Sequence, residues 1–558
     1  MTNQDVKVKK STKTKTPPDE TKKLPIEKEQ KNENRMFWAD SLAKEMLEKY
    51  PDVNHVVSDA KTPSGKIHVG ALRGVILHDV VYRALLDAGA KASFIYRFDD
   101  FDPMDSISAD LSEKFSKYMG MPLCDIPSPI AGYDNYAQAY ANDFIEAFEK
   151  VGNHPKIVST AKDYRDGKFN DLIRVSLEKS DLVTQINSKI SGTKKDSGWL
   201  PIHVLCESCG RIGTTFAHDF DGKTVAYTCS GAKYSKGCNF SGRRSPFDGG
   251  SKLTWKVQWA AQFKVYNVTM EGGGKDHYTV GGSREVADAT SVQLFNYTPP
   301  FDMAYEFFLV GGKKMSSSKG VGTSAQEITN LLSPQILRFL VVKYKPRTAI
   351  NFSPYADTIP KLYDDYESFA DSYFGRKQAR DPDEPRIFAL SQVSRNELEK
   401  PIDRWKPSFS LVAYLIQIPH VNLLTAMENA KGSPLTELEK EDLKETERAA
   451  KVWLESYADP ADKISILQQT EGVKRFLDLS KGQQNALAEF ADFFANNFDQ
   501  TKQAEKAREV SIKNEISVKD FFQAAYTVLV GKKEGPRLLP FLATLNRQFI
   551  VQRLKGVQ

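Results

Sequence analysis

The sequence predicts an α/β protein in which a doubly wound parallel sheet of the Rossmann type is followed by an all-α C-terminal domain. Three observations support this prediction. A strand, a helix and a second strand follow one another within residues 53–98. Four of the five cysteines fall in a segment rich in Gly and Ser, residues 190–252, which indicates a module inserted into the sheet domain. From about residue 360 onward, apolar residues recur at helical spacing and strand signals are few.

The first strand, helix and strand form one parallel unit. Residues 53–58 have the pattern of a short buried strand, and residues 67–85 have apolar positions at helical spacing. Gly89 is a normal helix stop, and residues 92–98 form the second strand. Strands joined by a helix in this order pair in parallel, so the unit begins a doubly wound sheet.

Composition and charge exclude several classes of protein. Five cysteines in 558 residues are too few for a disulfide framework, so we expect a reducing, cytoplasmic protein. No apolar run reaches about 18 residues, which argues against a membrane span. Residues 1–35 hold ten basic and six acidic side chains, and we expect a basic, disordered tail there. That tail is either a solvated leader, or it binds the phosphate backbone of a nucleic acid independently of its sequence.

The turn between the first strand and the helix has the features of a phosphate site. The turn and the start of the helix contain Thr62, Pro63, Ser64, Gly65, His68 and Gly70. The proline fixes the entry angle, and Gly65 allows a ligand to approach the backbone. The helix N-terminus would offer free N–H groups and a partial positive charge, and His68 would donate a hydrogen bond to a phosphate oxygen. Taken alone, such a turn is usually only structural.

A second segment, rich in lysine and serine, follows much later in the chain. It contains Lys314, Met315, Ser316, Ser317 and Lys319, with glycines at both ends. The glycines can act as hinges, and ammonium and hydroxyl groups suit a loop that closes over a triphosphate. The alternative is an exposed polar loop without a function.

Four cysteines have the spacing of metal ligands. Cys206 and Cys209 form a CxxC pair, and Cys229 and Cys238 follow as C-x8-C. Four thiolates with one tight pair suit tetrahedral Zn²⁺, and the absence of an open ligand position predicts a structural zinc site. The alternative is two reduced pairs that hold no metal.

The turn and the loop together resemble the two signatures of class I aminoacyl-tRNA synthetases. The turn reads Pro-Ser-Gly-Lys-Ile-His-Val-Gly, and the loop reads Lys-Met-Ser-Ser-Ser-Lys-Gly. The resemblance is to the class I lysyl-tRNA synthetases in particular, and it extends to residues 98–102, 274–277, 304–307 and 535–538. It touches most of the chain from about residue 36 to the end.

This resemblance implies an ATP-dependent ligase that joins lysine to its tRNA. The lysine carboxylate would attack the α-phosphate of ATP and release pyrophosphate. The terminal adenosine 2′-hydroxyl of the tRNA would then attack the activated carbonyl, with positioning and charge stabilisation supplying most of the rate. The expected partners are ATP with Mg²⁺, lysine and tRNA(Lys), the zinc is structural, and the expected state is a monomer.

The resemblance also implies roles for individual residues. The implied catalytic residues are His68, Lys314, Ser316 and Lys319. The ATP site would include His68, Lys319, Pro63, Ser64, Gly65, Gly70, Gly274, Asp276, Met315 and Ser317. The lysine pocket would include Thr62, Trp255, His277 and Tyr305. The carboxylate that receives the lysine ammonium would be Asp99, Asp100 or Glu306.

Three positions depart from the pattern of that family, and two other functions stay open. Ala60, Ala71 and Gly74 stand where Gly, Asn and Glu are usual, and we expect Ala71 to weaken ATP binding without abolishing activity. One alternative is a sibling class I enzyme, such as a glutamate-specific one, which would need a basic side-chain pocket. The other is a non-catalytic tRNA-binding relative, but such relatives commonly lose the loop lysines or His68.

The domain prediction combines these observations. Residues 1–35 are the tail, and residues 36–330 are the Rossmann-like catalytic domain, including the inserted zinc module 190–252. Residues 331–375 form a helical connecting region that contacts the tRNA stem. Residues 376–558 form a helical anticodon-binding domain, a role that rests on analogy alone.

Overall fold

The computed structural model describes residues 36–311, 323–393, 400–418, 421–459, 463, 466–535 and 537–557. The predicted tail, residues 1–35, and residues 312–322 of the lysine- and serine-rich loop lie outside these ranges. Within them, no helix combines the length and the apolar character that crossing a membrane requires.

The first strands and helices form the parallel unit that the sequence predicts. Helix α1 (Trp38–Lys49) is followed by strand β1 (His55–Lys61), helix α2 (Val69–Asp87) and strand β2 (Ala92–Phe98). The two strands pair in parallel, with His55 opposite Ala92. Helix α2 ends where Gly89 adopts a left-handed conformation (φ +82°), which costs a glycine little. Strand β2 has the predicted bounds, whereas β1 begins and ends further along the chain than residues 53–58.

Helices and one strand connect β2 to the inserted module. They are α3 (Ser112–Phe115), two short 3₁₀ turns (Ser116–Tyr118 and Leu123–Asp125), α4 (Tyr136–Lys150), β3 (Lys156–Ser159), α5 (Thr160–Arg165), α6 (Asn170–Glu178) and α7 (Ser180–Ser191). The side chain of Asn135 accepts a hydrogen bond from the N–H of Gln138 and so caps α4. Strand β3 pairs in parallel with β2.

The cysteine-rich segment folds as a small antiparallel module. Its strands are β4 (Ile202–Val204), β5 (Phe216–Phe220), β6 (Val225–Thr228), β7 (Gly231–Ala232), β8 (Ser235–Lys236), β9 (Ser241–Arg244) and β10 (Ser251–Leu253). Strands β5, β6 and β9 form an antiparallel sheet, and β10 pairs antiparallel with β4. Because the first and last strands pair, the chain enters and leaves the module at neighbouring points.

After the module the chain returns to the parallel sheet. The elements are α8 (Trp255–Val265), β11 (Met270–Glu271), β12 (Gly273–Gly274), a 3₁₀ turn (Lys275–Tyr278), α9 (Ser283–Gln293), β13 (Ala304–Tyr305), β14 (Phe308–Val310), α10 (Ala325–Leu331), α11 (Pro334–Val342) and β15 (Ile350–Phe352). Strand β11 completes a parallel sheet of order β11-β1-β2-β3. Strands β12 and β13 pair in parallel, as do β14 and β15. The predicted parallel sheet is therefore confirmed.

In the rest of the described chain, the regular elements are helices joined by loops. The helices are α12 (Thr358–Tyr373), α13 (Glu384–Leu390), α14 (Phe409–Leu415), α15 (Leu423–Lys431), α16 (Glu437–Ser456), α17 (Gln469–Leu477), α18 (Lys481–Asn496), α19 (Gln500–Lys513), α20 (Val518–Val530), α21 (Leu538–Thr544) and α22 (Arg547–Leu554). Thr436, Ser480 and Ser517 each form a capping box at the start of a helix. These caps are local signals, which is why helices in this half can be predicted from the sequence.

A buried ion cluster ties the sheet domain to the helices that follow it. Asp79 in α2 pairs with Arg83 (Nε to Oδ2, 2.6 Å) and with Arg338 in α11. Arg338 also donates to the carbonyl oxygen of Leu390 in α13 (2.7 Å), and Arg83 donates to that of Gly152 (2.9 Å). All three charged side chains are buried. Because an unpaired buried charge is costly, this cluster holds α2, α11 and α13 in one arrangement.

Candidate active site

A cavity of about 280 Å³ lies at the carboxyl ends of β1, β12 and β13. Its lining consists of Asp59, Ala60, Lys61, His68, Gly70, Ala71, Tyr96, Gly274, Asp276, His277, Tyr305, Glu306, Phe307 and Phe308. Open parallel sheets bind ligands at this edge. The predicted site residues that share this one cavity are His68, Gly70, Gly274, Asp276, His277 and Tyr305.

His68 caps helix α2 instead of lying in its first turn. Its Nδ1 accepts a hydrogen bond from the N–H of Gly70 (3.0 Å). A neutral imidazole that accepts at Nδ1 carries its proton at Nε2, so the ring has a donor there. A Cβ at Gly70 would lie 2.8 Å from the His68 ring, so glycine is required for this ring position.

The first N–H groups of α2 are not free, and the prediction of free donors is therefore wrong. The N–H of Val69 donates to the carbonyl oxygen of Thr323 (3.2 Å), and that of Ala71 donates to the carbonyl oxygen of His68 (3.0 Å). The N–H of Gly70 is the one that donates to the His68 ring. A phosphate beside this helix would therefore interact with the helix dipole and with His68 Nε2–H.

The turn before α2 is braced from both sides. Thr62 Oγ1 donates a hydrogen bond to Asp102 Oδ2 (2.7 Å), and Asp102 in turn pairs with Lys252. The N–H of Ser64 donates to the carbonyl oxygen of Thr62 (2.9 Å), and Tyr136 Oη donates to the carbonyl oxygen of Ser64 (3.3 Å). The turn is thus rigid, and its residues stand beside the cavity without contributing to the described lining.

The described residues on either side of the lysine- and serine-rich loop lie next to the cavity. Phe308 in β14, before the loop, is part of the cavity lining. Thr323, after the loop, accepts the hydrogen bond from Val69 at the start of α2. The predicted loop residues lie outside the described residues; they are Lys314, Met315, Ser316, Ser317 and Lys319.

His277 belongs to an aromatic cluster at one side of the cavity. Its ring centroid lies 5.4 Å from that of Trp255 and 5.6 Å from that of Trp259. Trp255 is 43% exposed and stacks on Trp259, with the centroids 5.7 Å apart. The structure therefore brings Trp255 and His277 together, although Trp255 is not part of the described cavity lining. In the parallel pairing of β12 with β13, Gly274 lies opposite Tyr305.

The three carboxylates nominated from the sequence already have partners. Asp99 accepts hydrogen bonds from the side-chain amides of two glutamines in α8 (3.1 and 2.7 Å). Asp100 accepts one from the N–H of Ala161 (2.7 Å), and Glu306 pairs with Lys275 (2.8 Å). Asp99 and Asp100 also lie outside the described cavity lining.

The cavity contains a different carboxylate, which the sequence prediction missed. Asp59, near the end of β1, lines the cavity and is 6% exposed. Burial raises the pKa of its carboxyl group above the usual range. Lys61 lines the same cavity, and burial lowers the pKa of its ammonium group. The two residues are two positions apart on one strand, so they lie on the same face of it.

The departure at Gly74 has a steric explanation. A Cβ at this position would lie 2.6 Å from Tyr305 Oη and 3.0 Å from Asp59 Oδ2. No side chain fits there unless Tyr305 or Asp59 moves. The other two departures, Ala60 and Ala71, both line the cavity.

Four sulfur atoms converge in the inserted module. The Sγ atoms of Cys206, Cys209, Cys229 and Cys238 all lie within 4.8 Å of one another. The Sγ–Sγ distances are 3.7 Å for Cys206–Cys238 and 3.8 Å for Cys209–Cys229. Tetrahedral zinc with Zn–S bonds of about 2.3 Å places sulfurs about 3.8 Å apart. The donor set and its spacing therefore fit one closed metal site.

A parallel sheet with a cavity at its carboxyl edge, followed by a helical half, is the architecture of class I aminoacyl-tRNA synthetases. The match to the family model agrees with it. The chain belongs to the family described as class I (K) tRNA synthetases, whose model matches residues 36–394.

Curated relatives cover nearly the whole chain. A lysine--tRNA ligase of Methanosarcina barkeri is 30% identical over 544 residues, which is 93% of this chain and 97% of the relative. One of Methanocaldococcus jannaschii is 30% identical over 539 residues, covering 93% and 99%. One of Thermoplasma volcanium is 31% identical over 524 residues, covering 94% and 99%.

Proposed function

We propose that this protein is an ATP-dependent lysine–tRNA ligase. The observation that supports the proposal most strongly is the meeting of three separate sequence segments in one cavity. His68 comes from the first signature, Asp276 from the implied ribose segment and Tyr305 from the implied lysine pocket. Relatives aligned over 93% of the chain are named lysine--tRNA ligases, which supports the same substrate for this chain.

ATP, bound with Mg²⁺ as the substrate complex, would lie along the start of α2. His68 Nε2–H donates to a phosphate oxygen, because Nδ1 is already held by the N–H of Gly70. Gly70 lies under the adenosine, and Gly274 and Asp276 hold the ribose. The braced turn supplies Pro63, Ser64 and Gly65 beside the phosphates.

The lysine- and serine-rich loop would stabilise the departing pyrophosphate. Lys314, Ser316 and Lys319 neutralise and orient its oxygens, and Met315 and Ser317 complete the ATP site. The proposal is supported by the described flanks of the loop. Phe308 lines the cavity, and Thr323 is hydrogen-bonded to the residue next to His68.

The lysine substrate would occupy the part of the cavity next to Tyr305 and His277. Trp255 and Thr62 support this pocket from outside the described lining, one against the His277 ring and one in the braced turn. The lysine carboxylate attacks the α-phosphate, and pyrophosphate leaves. The 2′-hydroxyl of the terminal adenosine then attacks the carbonyl, and AMP leaves with the bond electrons. Holding the reactants in line supplies much of the acceleration.

The four-cysteine cluster would hold one structural zinc ion. Cys206, Cys209, Cys229 and Cys238 are all needed as ligands, so no position remains for a water or a substrate. The zinc would fix the turns of the module and would take no part in the chemistry.

The helical half would bind the tRNA, with residues 331–375 at the stem and residues 376–558 at the anticodon. Two phenylalanines of this half differ in exposure: Phe494 is buried in the core, whereas Phe498 is 76% exposed. The Arg547 guanidinium lies 3.8 Å from the Phe498 ring centroid, and Phe498 is therefore our candidate for stacking an unpaired base. We also propose that the protein is a cytoplasmic monomer and that residues 1–35 form its basic tail.

Aminoacylation of purified tRNA(Lys) with a panel of amino acids tests the proposal. The tRNA is included throughout, because several class I relatives activate their amino acid only in its presence. Lysine is the expected product, and glutamate belongs in the panel because Lys61 also lines the cavity. Charging of glutamate alone would identify a sibling enzyme, and tRNA binding without any charging would identify a non-catalytic relative.

A double variant tests the role of the loop. Lys314→Ala with Lys319→Ala is expected to slow lysine-dependent ATP–pyrophosphate exchange about 100-fold or more, since two charges on the leaving group are lost. The matched control is Lys44→Ala with Lys91→Ala, two exposed lysines away from the cavity. Lys91 precedes β2, at the opposite edge of the parallel sheet. Equal activity of both double variants would show that the two loop lysines take no part in the reaction.

A further inference from the structure

Asp59 is a buried carboxylate that faces the cavity. It lies two residues before the end of β1 and is 6% exposed. Its Oδ1 accepts a hydrogen bond from the N–H of Ala60 (2.8 Å). Burial raises the pKa of this carboxyl group, which means that the site as it stands does not compensate the charge.

The nearest basic side chain, His78, does not supply that compensation. Its Nδ1 lies 3.6 Å from Asp59 Oδ2. However, His78 Nε2 accepts a hydrogen bond from the N–H of Gly272 (2.8 Å), so this nitrogen carries no proton. The single ring proton is then on Nδ1, where it is donated to the carbonyl oxygen of Gly74 (2.7 Å). His78 is therefore neutral, and the contact with Asp59 is not an ion pair.

The other cations near Asp59 are also not its partners. Arg97 is held by Glu271 through two hydrogen bonds (2.9 and 2.7 Å). Lys61 is close enough to interact electrostatically with Asp59, but the two form no ion pair among the contacts of the described residues. A buried carboxylate that lacks a cation is costly unless a ligand provides one.

We propose that Asp59 binds the side-chain ammonium of the amino-acid substrate and so selects a cationic side chain. This inference rests on the proposed lysine–tRNA ligase function. A Cβ built on Gly74 would lie 2.6 Å from Tyr305 Oη and 3.0 Å from Asp59 Oδ2. The hydroxyl and the carboxylate therefore lie close to each other beside Gly74. An ammonium group has three donors, so it can engage this carboxylate and this hydroxyl together. Tyr96 and Tyr305 add aromatic walls to the same cavity.

The test is Asp59→Asn, which keeps the shape and removes the charge. In tRNA-dependent ATP–pyrophosphate exchange, the KM for lysine is expected to rise about 100-fold, and the KM for ATP to stay within a few-fold. Norleucine, which has the same four side-chain carbons as lysine but a hydrogen in place of the ammonium group, gives a second readout. The preference for lysine over norleucine is expected to fall by a similar factor in the variant. The matched control is Asp52→Asn, an exposed carboxylate before the amino end of β1, which is expected to change neither constant.

A thermal melt separates this role from a structural one. Because burial raises the pKa of Asp59, its stabilising contribution is lost as the pH rises through that pKa. Asp59→Asn is therefore expected to leave the melting temperature at neutral pH unchanged or higher. A lower melting temperature with an unchanged lysine preference would overturn the inference. Lysine charging by the wild type with an unchanged KM in the variant would overturn it too, whereas a wild type that charges no lysine would refute the proposed function itself.

Discussion

The four-cysteine cluster permits a sharp prediction, because the chain provides its own control. Cys206→Ser removes one zinc ligand with almost no change in size. The fifth cysteine, Cys124, lies outside the cluster, and its Sγ is 3.6 Å from Asp125 Oδ1. Cys124→Ser is therefore the matched change that leaves the metal site intact. We expect about one zinc per chain in the wild type and in Cys124→Ser, and almost none in Cys206→Ser.

The size of the effect follows from the geometry and from the topology of the module. The Sγ–Sγ distances of 3.7 and 3.8 Å already match bound zinc, so little of the binding energy is spent on rearrangement. Structural zinc contributes an apparent 10–16 kcal/mol, which is comparable to the roughly 5–15 kcal/mol of a whole domain. Strands β4 and β10, where the chain enters and leaves the module, still pair with each other. Loss of the metal is therefore expected to unfold the module locally and not the whole protein.

Metal analysis by mass spectrometry and limited proteolysis measure these two effects. Cys206→Ser should be cut rapidly between β4 and β10, whereas Cys124→Ser should resist like the wild type. A zinc-free wild type that resists proteolysis equally well, after purification with zinc and without chelators, would refute the reasoning. The four thiols would then be two reduced pairs.

Three further predictions follow from the fold and the site. His68→Ala should slow adenylate formation about 100-fold, measured by pyrophosphate exchange at saturating lysine, because the Nε2 donor is lost. Asp79→Ala should lower the free energy of unfolding by about 3–5 kcal/mol in a denaturant titration, because Arg83 and Arg338 both lose their buried counter-ion. Burial raises the pKa of Asp99 from 3.8 to about 6, so its contribution to stability is lost as the pH rises through that range. Asp99→Asn should flatten this part of the stability–pH curve, and an unchanged curve would contradict the assignment.

The parts of the fold that depend on local signals could be predicted from the sequence. Strand β2 is apolar along most of its length and has the predicted bounds. Helix starts in the C-terminal half are marked by capping residues such as Ser480 and Ser517. The cysteine spacing predicts a four-sulfur cluster, which the structure brings within 4.8 Å. The strand and the helix caps depend on residues close together in the sequence, and the cysteine cluster depends on a single type of metal ligand.

The details of the site depended on contacts between distant residues and could not be predicted. The sequence predicts a first strand that ends at residue 58 and a turn that begins at Lys61, and it assigns no role to Asp59. In the fold these charges belong to β1 and face a cavity. The helix N-terminus was expected to offer free donors, but Val69 is bonded to Thr323, more than 250 residues away in the sequence. Steric room at Gly74 depends on Tyr305, which is more than 230 residues away in the sequence.

If the proposed function is correct, the first signature and the lysine- and serine-rich loop act on the same triphosphate while the amino acid lies beside them. The decisive measurement is a crystal structure with lysine and α,β-methylene-ATP, which keeps all three phosphates and cannot release pyrophosphate. We expect the triphosphate between His68 and Lys314, with the lysine side chain directed towards Tyr305. A bound triphosphate that touches neither His68 nor Lys314, or a Lys314 that faces another cavity, would refute the proposed arrangement.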